Sequence, residues 1–100
     1  MKKTVLLLMI SSLTLFAFDA NKVYKKCAMC HGNAGEKVAL KTSPVINTLS
    51  QEELVTAISA MLDGSSSISS RYLGMHQAKL KGVGMDNVEH MAEYITTLTQ

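Results

Sequence analysis

The stretch Cys27-Ala28-Met29-Cys30-His31 decides the fold of this 100-residue chain. It places two thiols three residues apart, and an imidazole follows directly after the second thiol. A Cys-x-x-Cys-His stretch is typical of covalent haem c attachment, in which both thiols are joined to one porphyrin. The histidine is then placed to bind the iron as proximal axial ligand. The chain contains no other cysteine, so these two residues account for all of its thiol chemistry.

Other kinds of site can also contain two closely spaced cysteines. A Cys-x-x-Cys pair beside a strand and a helix can be a redox-active thiol pair, but nothing before Cys27 indicates a buried strand. A structural zinc site has a second, separated pair of ligands, which this pattern lacks. A structural disulfide would leave His31 without a role. The residues therefore favour the haem site over these three alternatives.

The first seventeen residues have the pattern of a secretory signal peptide. Lys2 and Lys3 form a short basic start, and residues 5–18 are mostly apolar. That apolar run is shorter than the ~20 residues that a membrane-spanning helix needs, and Ala17 suits the position before a cleavage. We therefore predict that residues 1–17 are a signal peptide and that the protein is exported to the periplasm. Residues 18–100 are then enough for one domain.

Removal of residues 1–17 changes the balance of charge. The full sequence has a formal net charge of +2, and without Lys2 and Lys3 its basic and acidic residues are equal in number. A neutral protein lacks the basic face that nucleic-acid binding demands. The remaining lysines form at most a local patch for an acidic partner on a mixed, solvated surface. The lysines of that patch are Lys22, Lys25, Lys26, Lys79 and Lys81.

The first of three segments with helical spacing, about residues 21–29, leads into the haem-attachment stretch. Asp19 or Asn21 is suited to cap the start of this helix. Residues 32–44 contain glycine and the single proline of the chain, and they are predicted to form a loop.

The other two helical segments have capping signals of their own. Ser50 and Glu53 have the spacing of a capping box at the start of the second helix, and Gly64 is suited to end it. Residues 88–98 have the clearest helical period. The stretch 86–89, Asp-Asn-Val-Glu, predicts a second capping box, of the Asp type, before the last helix.

The segment between the last two helices is the least regular part of the sequence. Residues 65–70 are almost all serine and are predicted to form a surface loop. A short helix is compatible with residues 73–80, but Gly74 is one of three glycines that mark turns in this part of the chain.

Taken in order, these features resemble the small bacterial monohaem cytochromes c of class I, close to the cytochrome c-553 type. The most specific part of the resemblance is residues 24–32, Tyr-Lys-Lys-Cys-Ala-Met-Cys-His-Gly. Together with three weaker matches, the resemblance extends over almost the whole chain after residue 17. The weaker matches are the Ser43-Pro44 turn, Gly74-Met75 and residues 88–98.

The resemblance implies an all-α, class I cytochrome c fold, with three to four short helices around one covalent haem. In this family the first and last helices cross and pack near the haem edge. Val23 and Tyr24 are therefore expected to meet Tyr94 and Ile95.

The resemblance also assigns the groups around the iron. Cys27 and Cys30 hold haem c through thioether bonds, and His31 is the proximal ligand. The carbonyl of Pro44 accepts the imidazole N–H, a bond that fixes the ring and tunes the metal. In the family the sixth ligand is a methionine on a loop before the last helix, and Met75 is the match.

Other side chains compete with Met75 for the iron. Met85 is the nearest rival, since it stands just before the last helix. Met61 and Met91 lie on apolar helix faces, where core packing is the ordinary role of methionine. A second histidine ligand, His76, would give a bis-His haem of lower potential, but we expect His76 to be exposed on a loop.

The function implied by the resemblance is that of a periplasmic one-electron carrier and not of an enzyme. Its expected partners are other redox proteins, such as quinol-oxidising complexes, terminal oxidases or peroxidases, met by a monomer through small, transient interfaces. The alternative is a five-coordinate or bis-His haem protein that acts as a gas sensor or a peroxidase-like enzyme. The absorption spectrum separates the two, because an open iron is high-spin and binds small ligands rapidly.

Overall fold

The structure, a computed structural model, describes residues 18–41 and 43–99. Over these residues the chain forms helices α1 (Ala20–His31), α2 (Gln51–Asp63), α3 (Ser70–Lys79) and α4 (Val88–Thr96). Short 3₁₀ turns lie between them at Ala39–Lys41, Ile46–Thr48 and Met85–Asn87. The prediction of an all-α fold is confirmed, while the proposed signal peptide lies outside the described residues. No helix in the described part of the chain has the length and apolar character to span a bilayer.

Helix α1 carries the whole Cys-x-x-Cys-His stretch. Of the two predicted caps it uses Asp19, whose carboxylate accepts a hydrogen bond from the Lys22 backbone N–H at 3.2 Å. The helix continues two residues beyond its predicted end and stops at Gly32. The two cysteines and His31 are therefore fixed on one rigid element.

Helix α2 begins and ends as its sequence predicts. The Ser50 hydroxyl accepts a hydrogen bond from the Glu53 N–H at 3.1 Å, and the Glu53 carboxylate accepts one from the Ser50 N–H at 2.8 Å. At the other end Gly64 takes a left-handed conformation, with φ of 84°. Both ends of α2 are thus fixed by local interactions, and its face with Leu54 and Ile58 is buried.

The core lies where α4 packs against α2 and α1. The rings of Tyr24 and Tyr94 are 6.0 Å apart between centroids, so the expected contact of the first and last helices is confirmed. Met91 is 1 % exposed at the centre of this packing. The buried core residues are Ala20, Tyr24, Leu54, Ile58, Leu80, Val83, Val88, Met91, Ala92 and Ile95.

Helix α3 is longer and more regular than the sequence predicts. It begins at Ser70, and Gly74, which was predicted to mark a turn, lies inside it. A glycine in a helix costs only ~1 kcal/mol relative to alanine, so contacts elsewhere can outweigh it. One such contact is the hydrogen bond from the Gln77 side chain to the Met61 carbonyl of α2, at 3.0 Å.

The start of α4 also differs from its prediction. Residues 85–87 form a 3₁₀ turn, and the N-cap of α4 is Asn87, with no side-chain capping bond. The Asn87 side chain donates instead to the Val83 carbonyl at 2.8 Å. The predicted capping box between Asp86 and Glu89 is therefore wrong, because the preceding 3₁₀ turn moves the cap by one residue.

Candidate functional site

The two thiols lie one helical turn apart on α1 and line the same cavity. Residues three apart on a helix are neighbours on one face. Cys27 is half-buried and Cys30 is exposed, and the two are not joined as a disulfide. The spacing therefore allows both sulfur atoms to bond to one molecule in the cavity, as the sequence predicts.

His31, the last residue of α1, lines the cavity next to the thiols. Burial lowers the pKa of its imidazole, and the neighbouring His76 adds to that effect. The neutral imidazole favoured in this way is the form that binds metals. The buried Nδ1 of His31 has no hydrogen-bond partner among the described residues.

Several polar contacts hold the turn after His31. The buried Tyr24 hydroxyl donates to the Gly32 carbonyl at 2.7 Å, and the Lys37 N–H donates to the His31 carbonyl at 2.9 Å. The Glu36 carboxylate accepts from the Ala34 N–H at 3.0 Å. Gly32 has φ of 89° and ψ of 157°, a conformation that is almost confined to glycine. These contacts fix the direction in which the chain leaves His31.

Pro44 lies on the cavity wall, but it does not form the expected bond with His31. Its carbonyl accepts a hydrogen bond from the Ser43 hydroxyl at 3.0 Å. The preceding turn contains Leu40 and Lys41 with positive φ, at 53° and 64°, an uncommon conformation for residues with a side chain. The expected His31–Pro44 bond is therefore absent from this structure.

Met75 and Met85, the two main candidates for the sixth iron ligand, lie in different places relative to the cavity. Met75 lies on α3 and lines the cavity with the thiols and His31. Met85 lies in the 3₁₀ turn before α4, is 57 % exposed and is not part of the cavity wall. Met61 and Met91 also line the cavity, from α2 and α4. The expectation that Met75 stands in an irregular loop is wrong, since it lies in the middle of a helix.

His76 lies in a different place from that expected. It is half-buried on α3, lines the cavity, and its ring centroid is 6.3 Å from that of His31. Its Nδ1 is 2.7 Å from the carbonyl oxygen of Tyr72, one turn earlier on the same helix. The prediction of an exposed histidine on a loop is wrong, because it followed the turn signal of Gly74 and not the short helix that was compatible with residues 73–80. With a helix at this position, the four-residue spacing of Tyr72 and His76 would have indicated that they share a face.

The cavity enclosed by these elements has a volume of about 560 Å³. That is within the range of pockets that hold small molecules and cofactors. Its wall is mostly aliphatic, and the thiols and imidazoles that line it lie on α1 and α3. Apolar residues of this wall include Ala39, Leu40, Ile46, Leu49, Leu54, Ala57, Ile58, Ile68, Leu80 and Ile95.

Two lysines lie beside the thiols at the edge of the cavity. Lys26 precedes Cys27 on α1, and Lys79 is the last residue of α3. Burial raises the pKa of the Cys27 thiol, and the positive charges of Lys79 and Lys26 oppose that shift. The cavity is thus apolar inside and cationic at this edge.

The residues of the cavity fit a covalently bound haem. Two thiols one turn apart, with an adjacent imidazole, are the attachment groups of haem c. The thioether of Met75 and the imidazole of His76 stand on a second helix of the same cavity. An apolar wall suits the porphyrin. Within the described ranges, no three His, Cys, Asp or Glu side chains are grouped closely enough to hold a metal ion by themselves.

Comparison with known proteins agrees with this site. The family model named Cytochrome c matches residues 18–99. Among curated proteins, the cytochrome c-553 of Helicobacter pylori strain J99 is 30 % identical over 100 residues, covering 98 % of this chain and 99 % of that protein. The cytochrome c-553 of strain 26695 is 29 % identical over the same coverage.

Proposed function

This chain belongs to the cytochrome c family, and from that premise we propose that it is a periplasmic one-electron carrier with His31 and Met75 as the axial ligands of its haem c. The observation that carries the proposal is the shared cavity. Cys27, Cys30 and His31 on α1 and Met75 on α3 line one apolar space. The haem supplies an iron that accepts and releases one electron at a time.

Each of these side chains has one task. Cys27 and Cys30 bind the haem covalently, so that it stays with the exported chain. His31 stands at the end of α1, where the Tyr24–Gly32 bond and the turn after it fix its backbone. The aliphatic wall excludes water, which is one of the means by which a protein sets the potential of a redox group.

The sulfur ligand is assigned to Met75 on the basis of position. Met75 and the attachment residues line the same cavity, whereas Met85 does not. Both side chains are partly open to solvent in this structure, at 41 % for Met75 and 57 % for Met85. A methionine ligand raises the potential of the haem relative to a second histidine. With His31 and Met75 both bound, the iron would have no open position for a small ligand, which suits electron transfer.

The protein is proposed to act in the periplasm and to exchange electrons there with other redox proteins. Residues 1–17 are proposed to be a cleaved signal peptide that directs the chain to the periplasm. Lys26 and Lys79, at the cavity edge, favour an acidic docking face on the partner. Quinol-oxidising complexes, terminal oxidases and peroxidases are the partners proposed, each met by a monomer through a small, transient interface.

Paired alanine variants of the two methionines test the assignment of the sulfur ligand. The holoprotein with Met75→Ala is expected to lose the ferric absorption band of methionine–iron ligation and to have a lower reduction potential. Met85→Ala is the matched control and is expected to keep both. A band that survives in Met75→Ala and disappears in Met85→Ala would overturn the assignment.

The mass and location of the mature protein test the export proposal. We expect a periplasmic extract to contain a haem protein whose first residue is Phe18. Full-length protein in the membrane fraction would contradict the cleavage. A high-spin ferric protein that binds carbon monoxide or nitric oxide rapidly would support a gas sensor or peroxidase-like enzyme instead of an electron carrier.

A further inference from the structure

We propose that His76 is a second distal ligand of this protein, which binds the haem iron through Nε2 when the sulfur of Met75 is withdrawn. This inference rests on the proposed function, because it concerns the same haem and the same side of the cavity. It adds a residue that the proposed His31 and Met75 ligation does not use.

The position of His76 is the first observation behind the proposal. His76 follows Met75 on α3, and both side chains line the cavity that contains His31. The centroids of the two imidazole rings are 6.3 Å apart. With imidazole–metal bonds of about 2 Å, two imidazoles on opposite sides of one metal ion have centroids roughly 6 Å apart. The backbone of α3 therefore already holds His76 at a distance that suits a pair of axial imidazoles.

The hydrogen bond of His76 is the second, independent observation. Its Nδ1 is 2.7 Å from the Tyr72 carbonyl oxygen. A carbonyl oxygen only accepts, so Nδ1 must carry the proton and donate it. In the neutral ring the lone pair is then on Nε2. Metal-binding histidines typically have one ring nitrogen fixed by a carbonyl or carboxylate, which sets the tautomer and orients the ring.

Other nitrogen ligands are less well placed in the described part of the chain. Lys26 and Lys79 line the cavity, but an ammonium group has no free lone pair with which to bind a metal. His90 is exposed on α4, and its ring packs against Phe18 with centroids 5.6 Å apart. The wall of the cavity does not include His90. His76 is the imidazole that can replace the sulfur without a change in the fold.

The exchange of ligands is balanced without any additional reactant. One iron–sulfur bond is broken, one iron–nitrogen bond is formed, and neither an electron nor a proton is transferred when the ring is neutral. The reduction potential falls on exchange, because the sulfur that favours the ferrous state is replaced by imidazole. Loss of the methionine thus leads to a low-spin haem of lower potential instead of an open iron.

The test uses the holoprotein with Met75→Leu, since leucine keeps the apolar volume of methionine but has no sulfur. We expect its ferric form to lack the methionine–iron band, to remain low-spin, and to show the near-infrared signature of two imidazole ligands. In the double variant Met75→Leu/His76→Gln the ferric form is expected to become high-spin. Met75→Leu/His90→Gln is the matched control and is expected to stay low-spin.

Three other results would each overturn the proposed role of His76 or the ligation on which it rests. A high-spin Met75→Leu protein overturns the role of His76 and leaves Met75 as the sulfur ligand. A Met75→Leu/His76→Gln protein that remains low-spin also overturns it, because another side chain then binds the iron. A methionine–iron band that persists in Met75→Leu overturns the proposed ligation itself.

A measurement on the unmodified holoprotein tests the position of His76 even where the variants do not mature. In the ferrous, diamagnetic state, ring protons that lie near a porphyrin have NMR resonances displaced by its ring current. We expect displaced resonances for His76 and ordinary ones for His90. Ordinary resonances for His76 would overturn the proposal, because the side chain would then lie away from the haem.

Discussion

Helices α1, α2 and α4, together called the framework here, and helix α3 line the same cavity but are stabilised by different means. Each framework helix contributes buried residues to the core, and α1 and α2 have side-chain caps at their starts. Helix α3 has no buried residue, no side-chain cap, and a glycine in its interior. Its Gln77 side chain holds it to α2. The comparison indicates that the framework is stabilised by its own core and caps, whereas the wall formed by α3, with Met75 and His76, depends more on what fills the cavity.

The largest effect in the framework is expected from Gly32→Ala. Gly32 has φ of +89°, and an added Cβ would overlap the Glu36 carboxylate. We expect the free energy of unfolding of the holoprotein to fall by about 3 kcal/mol, from backbone strain and displacement of this carboxylate. Denaturant unfolding measures the change. Gly82→Ala is the control, since nothing lies within 4 Å of its added Cβ, and an equal loss in both variants would contradict the account.

Tyr24→Phe should weaken the framework by a smaller amount. The change removes the buried hydroxyl that donates to the Gly32 carbonyl, and we expect a loss of about 1–2 kcal/mol at neutral pH. Burial raises the pKa of Tyr24 to about 12. Ionisation in the unfolded chain begins near the ordinary value of 10.0, so this contribution is complete below pH 10 and is lost as the pH rises toward 12.

The pH dependence of the unfolding free energy tests the role of the Tyr24 hydroxyl separately. The wild-type protein should lose more stability than Tyr24→Phe between pH 10 and 12, in unfolding curves measured at fixed ionic strength. Tyr72→Phe removes a hydroxyl from α3 instead, and it should keep the wild-type decline over this range. Parallel curves for wild type and Tyr24→Phe would show that the buried hydroxyl does not contribute.

A pair of serine variants compares the starts of α2 and α3 directly. Ser50→Ala breaks a capping box and should cost about 1 kcal/mol. Ser69→Ala alters an N-cap residue that makes no side-chain capping bond, so its effect should be close to zero. Unfolding of the two holoproteins under the same conditions measures both changes. Equal losses would remove the contrast between these helix starts.

The smallest expected effect is a gain of stability in α3. Gly74→Ala adds a Cβ that meets no atom within 4 Å, and alanine favours the helix by about 0.5–1 kcal/mol over glycine. Hydrogen exchange of the α3 amides should slow, while exchange in α1 and α4 stays unchanged. Faster exchange in α3 would mean that Gly74 is needed in this helix.

The framework was predictable because its signals are local in sequence. Ser50, Glu53 and Gly64 act within one turn of the helix ends that they fix, and the attachment residues lie within five consecutive positions. The period of residues 88–98 also indicated the buried face of α4. Such patterns need no knowledge of tertiary contacts.

Residues 70–87, which contain α3 and the turn before α4, were predicted less well because tertiary contacts decide their structure. Gly74 indicated a turn, but packing on α2 and the Gln77 bond keep the helix continuous. The 3₁₀ turn at residues 85–87 moved the cap of α4 to Asn87. The approach of His76 to His31 joins residues 45 positions apart, and no local pattern shows it.

Mass spectrometry of the denatured, mature holoprotein tests whether the haem is joined covalently to Cys27 and Cys30. We expect one haem per chain that remains bound after denaturation, with Cys27 and Cys30 both protected from alkylation and mapped to the same haem-bearing peptide. A colourless protein with the mass of the polypeptide alone and two alkylated cysteines, produced in a host competent for haem c attachment, would contradict this expectation.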